Sequence, residues 1–158
     1  IAVAGASGGG GLAMYTALKA RDRNYPPIAC ILTNSPMISR NMEMDSAKQT
    51  YDPRTLNRDG VEHLWGFYLN HAEDTDYLME PAKADFTGLP AVYTMAGELD
   101  PFRDEVILFA QNLMKAQVPV ELHIYPGCFH VCDSFAPQED ICKYMVSEMV
   151  RAFQDKLK

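Results

Sequence analysis

The sequence predicts an α/β fold in which a parallel sheet carries helices on both faces. Short β-branched, apolar runs alternate along the chain with stretches of helical periodicity, which is the pattern of strand–helix–strand units. The apolar runs are continuous, as is typical of strands with both faces covered. With 158 residues, 47% of them hydrophobic, the chain has apolar material for one core, so we expect one domain or part of one.

Four strands are predicted from apolar runs bounded by turn residues. They cover residues 1–4, 28–33, 91–95 and 120–125. Helices are predicted over residues 9–21 and 103–116. A last helix closes the chain, with an apolar stripe formed by Ile141, Met145, Met149 and Val150.

An insertion, residues 35–90, separates the second and third predicted strands and is too long for an ordinary crossover loop. Within it, Val61, Leu64, Trp65 and Tyr68 recur at i, i+3, i+4 and i+7, which predicts an amphipathic helix. Its apolar face either packs on the sheet or also roofs a pocket. In the second case Trp65 and Tyr68 are candidate pocket residues.

Charge and hydropathy exclude several classes of function. Fourteen Lys and Arg residues against 21 Asp and Glu residues give a net charge of −7 with no basic tract, so we expect no nucleic-acid partner. No apolar run approaches the ~18–20 residues of a membrane span.

Four cysteines are too few for a disulfide framework, which favours a reduced, cytoplasmic location. Ile1 already reads as part of a strand, so a preceding signal sequence would not be visible.

A glycine-rich turn joins the first predicted strand to the first helix. The segment Gly5-Ala6-Ser7-Gly8-Gly9 fits G-x-S-x-G, the nucleophile elbow, in which a serine hydroxyl projects from a sharp strand-to-helix turn. The backbone N–H of Gly8 would then stabilise an oxyanion. A phosphate-binding turn fits less well, because no Lys-Ser/Thr pair follows the glycines and no acidic residue ends the second strand. We therefore expect Ser7 to be a nucleophile.

Candidate partners for Ser7 follow the third and fourth predicted strands. Asp100 lies in the turn after the third strand, and His130 lies in the loop after the fourth. Because the carboxyl ends of parallel strands meet at one edge of a sheet, both should lie near Ser7. The sequence thus predicts a triad in which His130 is the general base and Asp100 orients it.

Other residues of the same types compete for these roles. Glu98 and Asp104 are rivals for the role of the acid. Glu98 is interpreted as a turn residue, and Asp104 falls on the first turn of a predicted helix, where the helix dipole favours a carboxylate. The remaining histidines, His63, His71 and His123, are interpreted as surface or core residues.

Two cysteines flank the candidate base. Cys128, His130 and Cys132 alternate along one loop and raise the alternative of a metal site. Ligands that alternate in one short loop make a poor tetrahedral cage, so we expect no metal and no cofactor. Cys128 is either a reactive thiol or, in keeping with its small size, a packing residue.

These features together resemble the hormone-sensitive-lipase-like carboxylesterases of the α/β-hydrolase superfamily. The resemblance is carried by IAVAGASGGGGLAMYTALKAR at the start of the chain, by GELDPFRDE after the third strand and by YPGCFH after the fourth, with Trp65, Tyr68-Leu69 and residues 81–89 in the insertion. The chain order of serine, aspartate and histidine is also that of α/β-hydrolases.

The resemblance implies a function and a role for each site residue. Ser7, Asp100 and His130 match the nucleophile, the acid and the base of the family. Its members hydrolyse carboxylic esters with short to medium acyl chains through an acyl-serine, without a cofactor. The insertion, residues 35–90, would form part of a cap over the acyl pocket.

The resemblance also implies that residues 1–158 are a partial domain, the C-terminal half of the α/β-hydrolase fold. The family commonly carries an acidic or amide residue where Ala6 stands, and its other oxyanion donors lie in an upstream His-Gly-Gly-Gly loop. The N-terminal half or another chain is then the partner that covers the edge of the first strand. Because one lost oxyanion donor can cost ~10²–10³ in turnover, we expect the isolated chain to be a poor catalyst.

The sequence therefore predicts a serine carboxylesterase that acts on a small-molecule ester. The alternative is a non-catalytic module that binds a small ligand, or an inactive fragment of a hydrolase fold. Formation of a homo-oligomer stays open.

Overall fold

The protein is built on a four-stranded parallel sheet in the order β1–β2–β3–β4. The computed structural model describes residues 1–41, 43–49, 52–70 and 81–156. The strands are β1 (Ala2–Ala6), β2 (Cys30–Asn34), β3 (Ala91–Gly97) and β4 (Val120–Tyr125). Each strand pairs in parallel with the next one in the chain, so β1 and β4 are the edge strands of this sheet.

Six helices accompany the sheet in the described part of the chain. They are α1 (Gly8–Asp22), α2 (Asp45–Lys48), α3 (Arg58–Leu69), α4 (Arg103–Lys115), α5 (Cys132–Phe135) and α6 (Asp140–Lys156), with a 3-10 turn at Pro81–Lys83. Among these residues, no helix has the length and hydropathy needed to cross a bilayer.

Both faces of the central strands β2 and β3 are buried, and successive residues of these strands point to opposite sides. Ile31 and Val92 join one apolar cluster, and their neighbours Leu32 and Tyr93 join another. The first cluster is completed by residues of α1 and α4, including Met14, Leu18, Phe109 and Leu113. The second is completed by Cys142, Met145 and Ala152 of α6. The predicted α/β fold with helices on both faces is thus confirmed, and two-sided burial explains the continuous apolar runs.

The amphipathic helix predicted in the insertion is present as α3. It begins after Asn57, whose side chain accepts a hydrogen bond from the N–H of Gly60 at 3.0 Å. Its inward face carries Val61 and Trp65, which pack in a third apolar cluster with Met37, Ala96, Phe102 and Val106. This face therefore anchors α3 over the carboxyl edge of the sheet, beside the loops that carry the candidate site.

Candidate active site

Ser7 occupies a tight turn between β1 and α1. Its backbone has φ 54° and ψ −126°, a left-handed conformation that costs energy for a residue with a side chain. Three hydrogen bonds hold the turn: the N–H of Ser7 donates to the carbonyl of Asn34 at 2.9 Å, and the carbonyl of Ser7 accepts from the N–H groups of Gly10 at 2.9 Å and Met37 at 3.0 Å. A strained, well-bonded serine at this junction has the geometry of a nucleophile elbow.

Gly5 allows the strand and the helix to approach closely at this turn. A Cβ atom at residue 5 would lie 2.0 Å from the carbonyl oxygen of Gly9, far inside any real contact distance. A glycine is therefore required two residues before the serine, for steric reasons that the sequence pattern alone does not state.

His130 lies between Ser7 and Asp100. Its Nε2 is 2.9 Å from Oγ of Ser7, and its Nδ1 is 3.0 Å from Oδ2 of Asp100. The histidine is 7% exposed, and the edge of its ring contacts Phe102 at a centroid distance of 5.3 Å. The structure thus brings the three predicted residues into one hydrogen-bonded chain, although 123 positions separate the serine from the histidine.

Asp100 is held firmly behind the imidazole. Its carboxylate is fully buried, and Oδ1 accepts the backbone N–H of Phe102 at 2.8 Å, which leaves Oδ2 for His130. An ionised carboxylate only accepts hydrogen bonds, so Nδ1 of the histidine must donate, and Nε2 is left to accept the serine proton. This tautomer is the one that a general base for Ser7 requires.

The rival acids are engaged elsewhere. Glu98 accepts the N–H of Gly127 at 2.8 Å and so braces the loop after β4. Asp104 accepts the N–H of Ser46 at 2.8 Å and a bond from Arg103. Burial raises the pKa of Asp104, but these hydrogen bonds and the charge of Arg103 outweigh it, and the pKa lies below its usual value.

The other described histidines lie away from this site. His63 is exposed on α3, with Nδ1 at 2.9 Å from the carbonyl of Asp59. His123 lies within β4, with Nε2 at 3.0 Å from Oε1 of Glu121. His71 falls outside the described residues.

The sulfur atoms near His130 form a buried cluster. Sγ of Cys132 lies 3.6 Å from Sγ of Cys142 and 3.7 Å from Sδ of Met145. Burial raises the pKa of the Cys128 and Cys132 thiols, which keeps them protonated. Both nitrogens of His130 already have partners, so the loop has the features of a packed wall rather than a metal cage.

A second group of potential ligands lies between β4 and α6. The ligand atoms of Glu121, His123 and Glu148 lie within 4.8 Å of one another. Arg151 bonds to both carboxylates, so their charges are already compensated. We assign no metal to this group.

Two cavities that share Leu64 lie beside the candidate triad. The larger, of about 740 Å³, opens onto Ser7 and His130, and its other apolar walls are Leu56, Leu64, Leu99, Phe129, Val131 and Phe135. The smaller, of about 350 Å³, is lined by Gly8, Gly11, Leu12, Met37, Leu64, Phe67, Tyr68 and Pro81. Leu64 lines both, and so forms part of the wall between them.

The two predicted pocket residues have different positions. Tyr68 lines the smaller cavity, whereas Trp65 is 5% exposed, packs in the cluster under α3 and is absent from the walls of both cavities. Trp65 therefore belongs to the core, since its position on α3 faces the protein interior. Leu64 belongs to the same predicted apolar stripe, but it was not predicted as a pocket residue, and it lines both cavities.

Gly8 is the first residue of α1 and lines the smaller cavity. Helix geometry leaves the N–H groups of a first turn without intrahelical acceptors, and the helix dipole places partial positive charge there. The N–H of Gly8 can therefore serve a developing negative charge beside Ser7.

The chain is similar in sequence to a known protein family and to several curated proteins. A family model described as the alpha/beta hydrolase fold matches residues 1–134. The carboxylesterase NlhH of Mycobacterium tuberculosis is 33% identical over 141 residues, which are 86% of this chain and 44% of that protein. The chain spans about half the length of the curated relatives it matches, from 39% to 46%.

Solved structures agree with this match. A bacterial heroin esterase superposes with a TM-score of 0.93 at 36% identity, over 100% of this chain and 52% of the other. An esterase of the bacterial hormone-sensitive lipase family superposes with a TM-score of 0.92 at 25% identity, over 100% of this chain and 54% of the other.

Proposed function

Because this chain belongs to the hormone-sensitive-lipase-like carboxylesterases of the α/β-hydrolase family, we propose that it hydrolyses small carboxylic esters through an acyl-serine intermediate. One observation carries the proposal: Oγ of Ser7, the imidazole of His130 and the carboxylate of Asp100 form a continuous hydrogen-bonded chain. A serine hydroxyl is a weak nucleophile without such a base.

The reaction begins when Oγ of Ser7 attacks the ester carbonyl and Nε2 of His130 accepts its proton. Asp100 holds the Nδ1–H bond and stabilises the imidazolium that forms. The N–H of Gly8 donates to the oxyanion of the tetrahedral intermediate. His130 then gives its proton to the leaving alcohol, and water, activated by the same base, releases the acid from the acyl-serine.

This sequence of steps orients the substrate between the two cavities. The leaving oxygen must lie within reach of His130, which lines the larger cavity, and the carbonyl oxygen must face Gly8, which lines the smaller one. We assign the alcohol part of the ester to the larger cavity and the acyl chain to the smaller, apolar one. The volume of the latter, about 350 Å³, is sufficient for acyl chains of short to medium length.

Leu64→Ala is expected to shift the acyl preference toward longer chains, because it shortens the wall between the two cavities. We expect the ratio of kcat/KM for p-nitrophenyl octanoate over butyrate to rise about tenfold. Leu108→Ala is the matched control, since Leu108 is 40% exposed against 41% for Leu64 and lies on the outer face of α4. An unchanged ratio in Leu64→Ala would contradict the acyl assignment.

A fluorophosphonate probe tests the proposed function directly. It reacts with serines that are activated by a base, so mass spectrometry should find one adduct on the peptide that contains Ser7 and none in Ser7→Ala. Ester hydrolysis should disappear as the adduct forms. A folded protein whose Ser7 stays unlabelled would instead favour a module that binds small ligands without catalysis.

A further inference from the structure

A partly buried amide–carboxylate contact lies beside the triad and has no role in the mechanism above. Asn34, the last residue of β2, is 4% exposed, and its Nδ2 donates to Oδ1 of Asp133 at 2.9 Å. Asp133 lies in α5, three residues after His130. The contact joins segments that are 99 residues apart in the chain.

The same asparagine also holds the nucleophile. Its backbone carbonyl accepts the N–H of Ser7 at 2.9 Å. Its Oδ1 accepts the hydroxyl of Ser35 at 3.2 Å, and the N–H of Ser35 donates to the carbonyl of Met95 on β3 at 2.7 Å. The amide is therefore fixed with its nitrogen toward Asp133. One residue is thus bonded to the nucleophile through its backbone and to the histidine segment through its side chain.

The segment after His130 needs such an anchor. The chain turns at Val131, which has φ 45°, and α5 begins at the next residue with only four residues in total. A helix of one turn gains little stability from its own hydrogen bonds. Contacts from α5 to the rest of the protein must therefore fix where it lies: Cys132 packs against Cys142 and Met145 of α6, and the bond from Asn34 to Asp133 ties α5 to the sheet.

We propose that Asn34 and Asp133 are positioning residues that keep Nε2 of His130 at hydrogen-bonding distance from Oγ of Ser7. The kinetic part of this inference rests on the proposed esterase function. A displacement of ~1 Å in a catalytic group can cost about 10²-fold in rate. Loss of the contact should therefore lower kcat and leave KM nearly unchanged, because neither residue lines the described cavities.

Four variants test the contact. Asp133→Ala removes the acceptor and should lower kcat by about 10- to 100-fold. Asp133→Asn keeps an acceptor oxygen of the same reach and should retain most of the activity. Asn34→Ala should resemble Asp133→Ala, and the double variant should be no worse than either single one. Asp140→Ala is the control, since it removes an exposed carboxylate at the start of α6 and should leave kcat unchanged.

Three results would overturn the proposal. The first is a lower melting temperature of Asp133→Ala with an unchanged kcat. The second is an equal loss of kcat in Asp133→Ala and Asp133→Asn, and the third is a fully additive loss of kcat in the double variant. If Asp133→Ala does not fold, Asp133→Ser takes its place in the test. The side chain of serine is shorter than that of aspartate and cannot reach Asn34.

Nitrogen-15 NMR of His130 gives a readout that needs no ester hydrolysis. Ser7→Ala supplies the reference spectrum of an Nε2 that no longer accepts the serine proton. We expect the Nε2 resonance of Asp133→Ala to move toward this reference, and an unmoved resonance would refute the proposal. Absence of fluorophosphonate labelling in the unmodified protein would refute the esterase function alone.

Discussion

Ser7→Ala is expected to lower kcat by a factor on the order of 10⁶, the largest loss of any single change in this protein. The substitution removes the atom that we propose to become acylated and leaves the fold intact, because a methyl group fits wherever the hydroxymethyl group fits. Turnover of p-nitrophenyl acetate, measured with enough protein to detect the residual rate, gives the magnitude. Substrate binding should change little.

The control for this change is Ser147→Ala, which removes a hydroxyl bonded to the carbonyl of Tyr144 on the exposed side of α6. Its activity should equal that of the unmodified protein. If Ser7→Ala kept a tenth or more of the activity, Ser7 would not be the nucleophile, whatever its distance from His130.

Asp100→Asn is expected to lower kcat by about 10⁴-fold, with little change in melting temperature. In the structure Oδ1 of Asp100 accepts the N–H of Phe102, and Oδ2 accepts from Nδ1 of His130. An asparagine keeps its oxygen on Phe102 and turns its NH₂ group to His130, so Nδ1 becomes the acceptor. Nε2 then carries the proton and no longer accepts one from Ser7.

Glu98→Gln is the matched control for Asp100→Asn. Glu98 stands in the same turn and accepts the N–H of Gly127, a bond that the oxygen of a glutamine also accepts. We expect less than a threefold loss in kcat/KM, which is about 0.6 kcal/mol of transition-state stabilisation. A loss in Glu98→Gln as large as that in Asp100→Asn would assign the orienting role to Glu98 instead.

The central part of the sheet was predictable because β2 and β3 are buried on both faces. The fourth strand was predicted with its observed bounds, Val120–Tyr125, and α1 differs from its prediction by one residue at each end. The ends of the other strands were less accurate, since β1 continues to Ala6 and β3 to Gly97. Both strands end in alanine and glycine, which are depleted in strands and give little signal in a sequence, and only pairing with a neighbouring strand extends the ladder to them.

The candidate site was predictable to the extent that topology determines it. Ser7, Asp100 and His130 each follow a strand of the parallel sheet. Because the carboxyl ends of parallel strands lie at the same edge, the three residues are expected to lie close together there. The family resemblance is confirmed by the match over residues 1–134, whereas the role of each residue stays a prediction until the variants are measured. The inward position of Trp65 depends on how α3 lies on the sheet, and the pattern at i, i+3, i+4 and i+7 does not determine which members face a pocket.

The contact between Asn34 and Asp133 was beyond sequence analysis for a different reason. Each residue taken singly is an ordinary polar residue at the end of a strand or the start of a helix. Their proximity arises only when β2 and the loop after β4 meet across the sheet edge, and no periodicity or motif records it.

The buried sulfur cluster makes local opening of the histidine loop measurable by alkylation. Maleimides and iodoacetamide attack exposed thiolates, whereas Cys128, Cys132 and Cys142 are buried, and burial raises the pKa of the Cys128 and Cys132 thiols. Their alkylation rate therefore reports how often the segment around His130 separates from α6. Cys30, buried within β2, reports the opening of the sheet itself. A faster rate at Cys128 than at Cys30 would mean that the loop that carries His130 opens while the sheet stays closed.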